Sequence, residues 1–249
     1  MLEVMTLSGH APTLVFLHEG LGCVSMWKDF PAQLAAATGC AALVYSRAGY
    51  GQSDPVSLPR PLDYMEREGV AELAQLLRDV PDAILIGHSD GGSIALAYAA
   101  SHQGLRGVIV EAPHVFCEAQ TVESIEQARH LYQQGELRRK LERHHGRNVD
   151  CAFWGWNGAW LHPDFRRWNI ERFLPDIQVP VLVIQGRQDE YGTLGQVDAI
   201  CRQVPHAESA LLDRCGHSPH RDQPAQVLAI MSDFVRRLSS TAAVDAPHS

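Results

Sequence analysis

Short runs rich in Val, Ile and Leu recur along this chain with helix-patterned segments between them, and that alternation limits the fold more than any other feature. The runs lie at 13–18, 41–46, 83–87, 107–111, 180–185 and 208–212. Helical periodicity marks 27–37, 65–78, 93–102 and 196–204, with 226–238 after the last run. Strands that are apolar throughout are covered on both faces, so the pattern predicts an α/β fold: a mostly parallel sheet with helices on both sides. At 249 residues and 45% hydrophobic the chain is long enough for one sizeable core.

The alternation fails once, between 113 and 178. Two polar helical stretches there precede the aromatic segment FWGWNGAWLHPDFRRWN. An insertion at the C-terminal edge of an open sheet falls over the crevice where such sheets bind ligands, so 113–178 reads as a helical lid. The core is then 1–112 together with 179–238. The tail 239–249 is small and polar, and reads as disordered.

A formal charge of −8 disfavours nucleic acid as a partner. The basic residues Arg138, Arg139, Lys140, Arg143 and Arg147 are broken by Leu137, Leu141 and Glu142 at helical spacing, which marks a solvated helix face. Six cysteines without a CxxC pair, and no basic-then-apolar leader, point to a cytoplasmic protein with reduced thiols. Thirteen histidines raise the question of a metal. There is no HExxH, and neither His144-His145 nor His217 with His220 has a third ligand nearby in sequence, so no metal and no cofactor are expected. No apolar run approaches the ~20 residues that cross a bilayer, so no membrane is expected either. The expected partner is a small-molecule substrate.

The run 83–87 leads into Gly87-His88-Ser89-Asp90-Gly91, and a helical pattern leaves it. This is GxSxG in the strand-turn-helix setting the motif requires. Strand and helix approach closely there, so the residues two before and two after the serine must be small, and both are glycine. A nucleophilic serine needs a base, and the base needs an orienting carboxylate. Asp189 follows one later strand and His217 follows the next, in the order serine, acid, histidine. Glu190 is an alternative orienter.

With these residues in place, the sequence resembles the α/β-hydrolase superfamily over essentially its whole length. Leu17-His18-Glu19-Gly20 is similar to the family's HG oxyanion loop, and Arg47-Ala48-Gly49-Tyr50-Gly51-Gln52-Ser53 to its RGxGxS turn. The resemblance implies Ser89 as nucleophile, His217 as base and then acid, and Asp189 as orienter. It also implies an oxyanion hole built from the Asp90 N–H and a second N–H. Glu19 stands where the family has the glycine of HG, leaving that second donor among Glu19, Gly20 and Leu21, with Gly20 preferred. The family's N-terminal hairpin is expected to be shortened.

The implied activity is hydrolysis of a small carboxylic ester through an acyl-serine intermediate. Lactone, amide and carbon-carbon hydrolysis share such triads, and a non-catalytic receptor can retain them. Trp154 and Trp156 are candidate pocket walls. For the Asp90 side chain three roles stand open: capping the helix or bonding the lid backbone, tuning His217, or holding a substrate ammonium group. The SDGG elbow resembles the valacyclovirase-like branch, which implies the third, an α-amino ester substrate, with Glu19 as a second negative charge.

Overall fold

The computed structural model describes residues 1–80 and 82–242. Its centre is a seven-stranded sheet: β1 (Glu3–Leu7), β2 (His10–Leu17), β3 (Cys40–Ser46), β4 (Ala83–His88), β5 (Gly107–Glu111), β6 (Val181–Gly186) and β7 (Ala207–Leu212). The order is β1-β3-β2-β4-β5-β6-β7, with β1 antiparallel to β3 and every other pair parallel. The six apolar runs of the sequence are β2 to β7. The additional strand, β1, lies at the sheet edge and alternates half-buried and exposed residues, so it carries no apolar run. Only Ser8 and Gly9 separate β1 from β2, yet the two strands pair with β3 from opposite sides.

Successive residues of β2 divide between two cores, as a period of two demands. Val15 and Leu17 join the layer of α4 (Asp90–Ser101), while Leu14 and Phe16 pack with Trp27, α1 (Phe30–Thr38) and α10 (Pro224–Ala242). The helix read at 65–78 is interrupted. α2 (Tyr64–Arg67) and α3 (Leu73–Leu76) are joined by a π-helical turn at Glu68–Glu72. Two facts fix the interruption: Gly69 packs so closely on α4 that a Cβ would lie 2.7 Å from the Ile94 carbonyl, and Glu68 turns inward to Arg47 and Arg60.

Between β5 and β6 lie α5 (Ala119–Gln133), α6 (Glu136–His145) and α7 (Val149–Trp160), then two 3₁₀ turns. The basic stretch of α6 faces solvent in ion pairs, Arg138 with Asp150 at 2.9 Å and Lys140 with Glu136 at 2.7 Å. α8 (Gly195–Gln203) and α9 (Pro219–Asp222) follow β6 and β7. α10 runs on to Ala242, beyond the helix end read at 238; the rest of the expected tail, 243–249, lies outside the described residues. Among the described residues no helix is long and apolar enough to cross a membrane.

The tightest packing is at the start of α4. A Cβ on Gly91 would lie 2.1 Å from the Leu17 carbonyl oxygen, and one on Gly87 would lie 2.3 Å from the Gly91 oxygen. These neighbours are backbone and cannot rotate away. Gly91→Ala is therefore expected to cost about 1–3 kcal/mol in urea denaturation, whereas Gly158→Ala, with open space at its Cβ, stabilises or is neutral.

Candidate active site

β4 ends at His88 and α4 begins at Asp90, so Ser89 alone makes the turn, with φ 53° and ψ −118°. Such backbone is strained for a residue with a Cβ and holds only where the surroundings fix it. Here the Ser89 N–H donates to the Glu111 carbonyl at 2.9 Å, and the Ser89 carbonyl accepts from Gly92 and Ser93 in the first turn of α4. The hydroxyl is left at the N-terminus of a helix, where unused N–H groups favour negative charge.

His217 lies in the loop between β7 and α9. Its Nε2 is 2.9 Å from Ser89 Oγ, and its Nδ1 is 2.8 and 3.0 Å from the two oxygens of Asp189. The Asp189 carboxylate also accepts from Gln185 Nε2 at 2.7 Å and from the N–H groups of Tyr191 and Gly192 at 2.8 and 3.2 Å. Burial would raise this carboxyl, but the His217 ring and these donors hold it below the usual carboxylate range. An ionised Asp189 only accepts, so His217 carries its proton on Nδ1 and turns the Nε2 lone pair toward the serine. Glu190, the other possible orienter, bonds the His217 main-chain N–H at 3.2 Å instead of the ring.

The loop after β2 is fixed by one carbonyl. Glu19 O accepts from His18 Nδ1 at 2.7 Å, Arg47 Nη2 at 3.0 Å and the Gly22 N–H at 3.0 Å. A trans peptide points its C=O and N–H in opposite directions, so the Gly20 N–H faces away from Arg47, toward the cavity that Gly20 lines. It has no protein acceptor among the described residues. Of the three candidate donors, Gly20 is the one whose direction these bonds dictate. The indole of Trp156 packs over it so tightly that a Cβ would fall 2.2 Å from Trp156 Nε1.

Ser89 opens on a cavity of about 100 Å³. Its walls include Glu19, Gly20 and Leu21 from the first loop, Thr121 and Ile125 from α5, and Trp156 and Trp160 from α7. Trp154 does not reach the cavity. It stands two residues before Trp156, on a different face of the helix, and packs edge-on against Tyr132 and Phe153. Trp160, four residues after Trp156, takes the place the sequence reading gave to Trp154. His114 was also missed: it follows β5 without a motif, yet it lines the cavity 5.6 Å from the His217 ring, and burial lowers its pKa to about 3.

Asp90 is buried at the cavity wall. Its carboxylate accepts from the Tyr64 hydroxyl and from Trp160 Nε1 at 3.2 Å, with Arg47 Nη2 at 3.8 Å. The side chain makes no helix cap and its bond to the inserted helices goes to an indole, not to backbone, so the first of the three roles open to it is corrected in form. Burial raises this carboxyl above its ordinary value, while Arg47, Tyr64 and Trp160 oppose the rise.

Behind the serine, His88, Glu111 and His220 bring one ligand-type atom each to within 4.8 Å of one another, the one such group among the described residues. A tetrahedral zinc with bonds of ~2.1 Å needs its ligand atoms about 3.4 Å apart. His220 Nδ1 donates to Glu111 Oε2 at 2.6 Å and His88 Nε2 to the His217 carbonyl, which leaves His88 Nδ1, Glu111 Oε1 and His220 Nε2 buried without a hydrogen-bond partner. All six cysteines are free thiols.

A family model described as "Alpha/beta hydrolase family" matches residues 14–230. The chain belongs to that family. Among curated relatives of this hydrolase, the proline iminopeptidase of Saccharolobus solfataricus is 24% identical over 96% of this chain and 89% of its own length. Serine hydrolase BPHL of Mus musculus is 25% identical over 76% of this chain and 67% of its own. The match to monoacylglycerol lipase ABHD6 of Bos taurus, 27% identical, spans 30% of this chain and only 22% of that protein. Among solved structures, an esterase from Exiguobacterium antarcticum superposes with a TM-score of 0.75 at 20% identity, covering 94% of this chain and 95% of that one.

The Tyr64 bond joins α2 to the elbow through a buried carboxylate. Tyr64→Phe keeps the ring and removes one donor to Asp90, and is expected to lower stability by about 1.5–3 kcal/mol in urea denaturation at neutral pH. A loss below about 0.5 kcal/mol would mean that this bond is not made to an ionised group.

Proposed function

We propose that the protein is a serine hydrolase that cleaves small carboxylic esters through an acyl-Ser89 intermediate, with α-amino esters as its preferred class. The observation that carries the reading is the unbroken hydrogen-bonded chain from Ser89 Oγ through His217 to Asp189, opening on a half-open cavity.

In this mechanism Ser89 Oγ attacks the ester carbonyl carbon while His217 Nε2 takes the hydroxyl proton. Negative charge gathers on the carbonyl oxygen, where the N–H groups of Asp90 and Gly20 receive it. Asp189 balances the positive charge that His217 gains. The tetrahedral species collapses, the carbon-oxygen bond to the alcohol breaks, and His217 returns the proton to the leaving oxygen. Water then repeats the sequence on the acyl-enzyme: His217 takes its proton, the oxygen bonds the acyl carbon, and the acid leaves as Ser89 recovers its hydrogen.

The cavity supports a small acyl group. At about 100 Å³ it is smaller than the ~150 Å³ cavity that accommodates benzene. Its charge supports a cationic one. Asp90 stands on its wall, and an ammonium group beside it would add to the partial compensation that Arg47, Tyr64 and Trp160 give against the burial that raises its carboxyl; Glu19, also on the wall, is already paired with His88 and Arg221. A cytoplasmic location, fitting six free thiols, is part of the same proposal. Amides belong in the substrate panel because a full-length relative is named as a peptidase.

Hydrolysis of an alanyl ester and of its uncharged propionyl analogue by wild type, Ser89→Ala and Asp90→Asn tests the reading. Ser89→Ala is expected to lose at least about 10³-fold in kcat on both esters. Asp90→Asn is expected to raise KM for the alanyl ester about 10-fold or more and to change the propionyl ester far less. Equal losses on both esters would remove the recognition role, and turnover by Ser89→Ala would remove the nucleophile.

A further inference from the structure

His88 precedes Ser89 at the end of β4 and has no part in the mechanism above, yet it is buried between the two loops on which that mechanism depends. Its Nε2 is 2.6 Å from the main-chain carbonyl oxygen of His217, and its Nδ1, buried without a hydrogen-bond partner, stands at an ion-pair distance of 3.5 Å from Glu19 Oε2. A carbonyl oxygen only accepts, so Nε2 carries a hydrogen. A carboxylate also only accepts. A neutral imidazole has one N–H and would turn the Nδ1 lone pair toward a negative oxygen; the imidazolium has a hydrogen for each partner.

We propose that His88 is a positioning residue held as a cation, which ties the His217 loop to the Glu19-Gly20 loop and so keeps base and oxyanion donor in register around Ser89. The inference rests on the roles given above to His217 and Gly20.

The surroundings agree. Facing His88 are Glu19 from the loop after β2, Glu111 from its register partner on β5, His114 from the loop after β5, His217, and His220 from α9. Glu111 accepts from His220 Nδ1 at 2.6 Å, and burial keeps the His114 ring neutral. Arg221 Nη2 stands 3.7 Å from Glu19 Oε1, the carboxylate oxygen that does not face His88, and helps to hold Glu19 ionised. Burial opposes charge on His88, but Glu19 and Glu111 raise its pKa above the ordinary histidine value; Glu19 in turn is held well below the carboxylate range. For a histidine raised in the folded state, the stabilisation is complete below the unfolded value near 6.5 and is lost as pH rises through the folded value. The tether therefore loosens on the alkaline side.

The experiment has two arms. In wild-type protein with labelled histidine side chains, assigned with His88→Gln, the His88 ring is followed by NMR from pH 5 to 9. A cationic ring at pH 7, with a titration midpoint that moves down in Glu19→Gln, is expected. A neutral ring at pH 7, or a midpoint indifferent to Glu19→Gln, overturns the proposal. The second arm is the pH profile of kcat on an ester that wild type turns over. Wild type is expected to lose kcat above the same midpoint. His88→Gln, which keeps a donor for the His217 carbonyl and lacks the charge, is expected to be about 10-fold slower at pH 7 and to lose that alkaline limb, with KM changed less than kcat. Wild-type kcat and profile in folded His88→Gln overturn the proposal. Turnover by Ser89→Ala would defeat the mechanism instead, and leaves the NMR arm unaffected.

Discussion

The approach of α4 to the sheet, backbone against backbone, is the constraint on which the rest of the molecule depends. Gly87 and Gly91 meet main-chain atoms at distances no Cβ survives, and only because of that can Ser89 hold a left-handed turn with its hydroxyl at the start of a helix. The same approach sets Gly91 against the Leu17 carbonyl, at the root of the loop that carries Glu19 and Gly20. One close contact thus positions the hydroxyl, the Asp90 N–H and the base of the Gly20 loop together. The strain is local; the buried strands around it supply the rigidity that maintains it.

A second layer of polar contacts joins the inserted helices to this centre. Arg47, buried at the end of β3, bonds Glu68 and the Glu19 carbonyl and stands beside Asp90, so it balances two buried carboxylates while aiming a peptide group. Trp160 of α7 reaches Asp90 and Tyr64. His145, at the end of α6, accepts from the Gly51 N–H and donates to the Leu21 carbonyl, both at 2.9 Å. The RGxGxS turn therefore serves as a junction between the first loop and the inserted helices. Buried ionic groups of this kind cost more to leave unpaired than their pairing returns, which makes the set strongly interdependent.

Where the chemistry demands particular residues at particular spacings, the chain could be read without coordinates. The strands β2 to β6 announced themselves because burial leaves them little polar alternation, and the edge strand β7 by its apolar end at Ala210, Leu211 and Leu212. That Ser89, Asp189 and His217 would lie together was legible because a sharp turn needs glycines and because sheet order fixes which loops converge. β1 could not be read, since an edge strand with one exposed face carries a weak signal over five residues. Choosing Trp156 and Trp160 over Trp154 depends on helix phase, which an aromatic-rich segment conceals. His114 and the contacts of His88 depend on loop conformation, for which no motif exists. The Asp90 carboxylate lay between these cases: its place beside Ser89 was legible, and its partners Tyr64 and Trp160, from elements 26 and 70 residues away, were not.

The central claim is that Ser89 becomes acylated, and it is tested most directly by trapping that species. Wild-type protein mixed with a short-chain activated ester, quenched in acid within the first turnover and weighed intact, is expected to gain the mass of one acyl group, which peptide mapping places on Ser89. Ester hydrolysis in step with enzyme and with no adduct at any quench time, or an adduct that maps to another residue and persists in Ser89→Ala, would contradict the account.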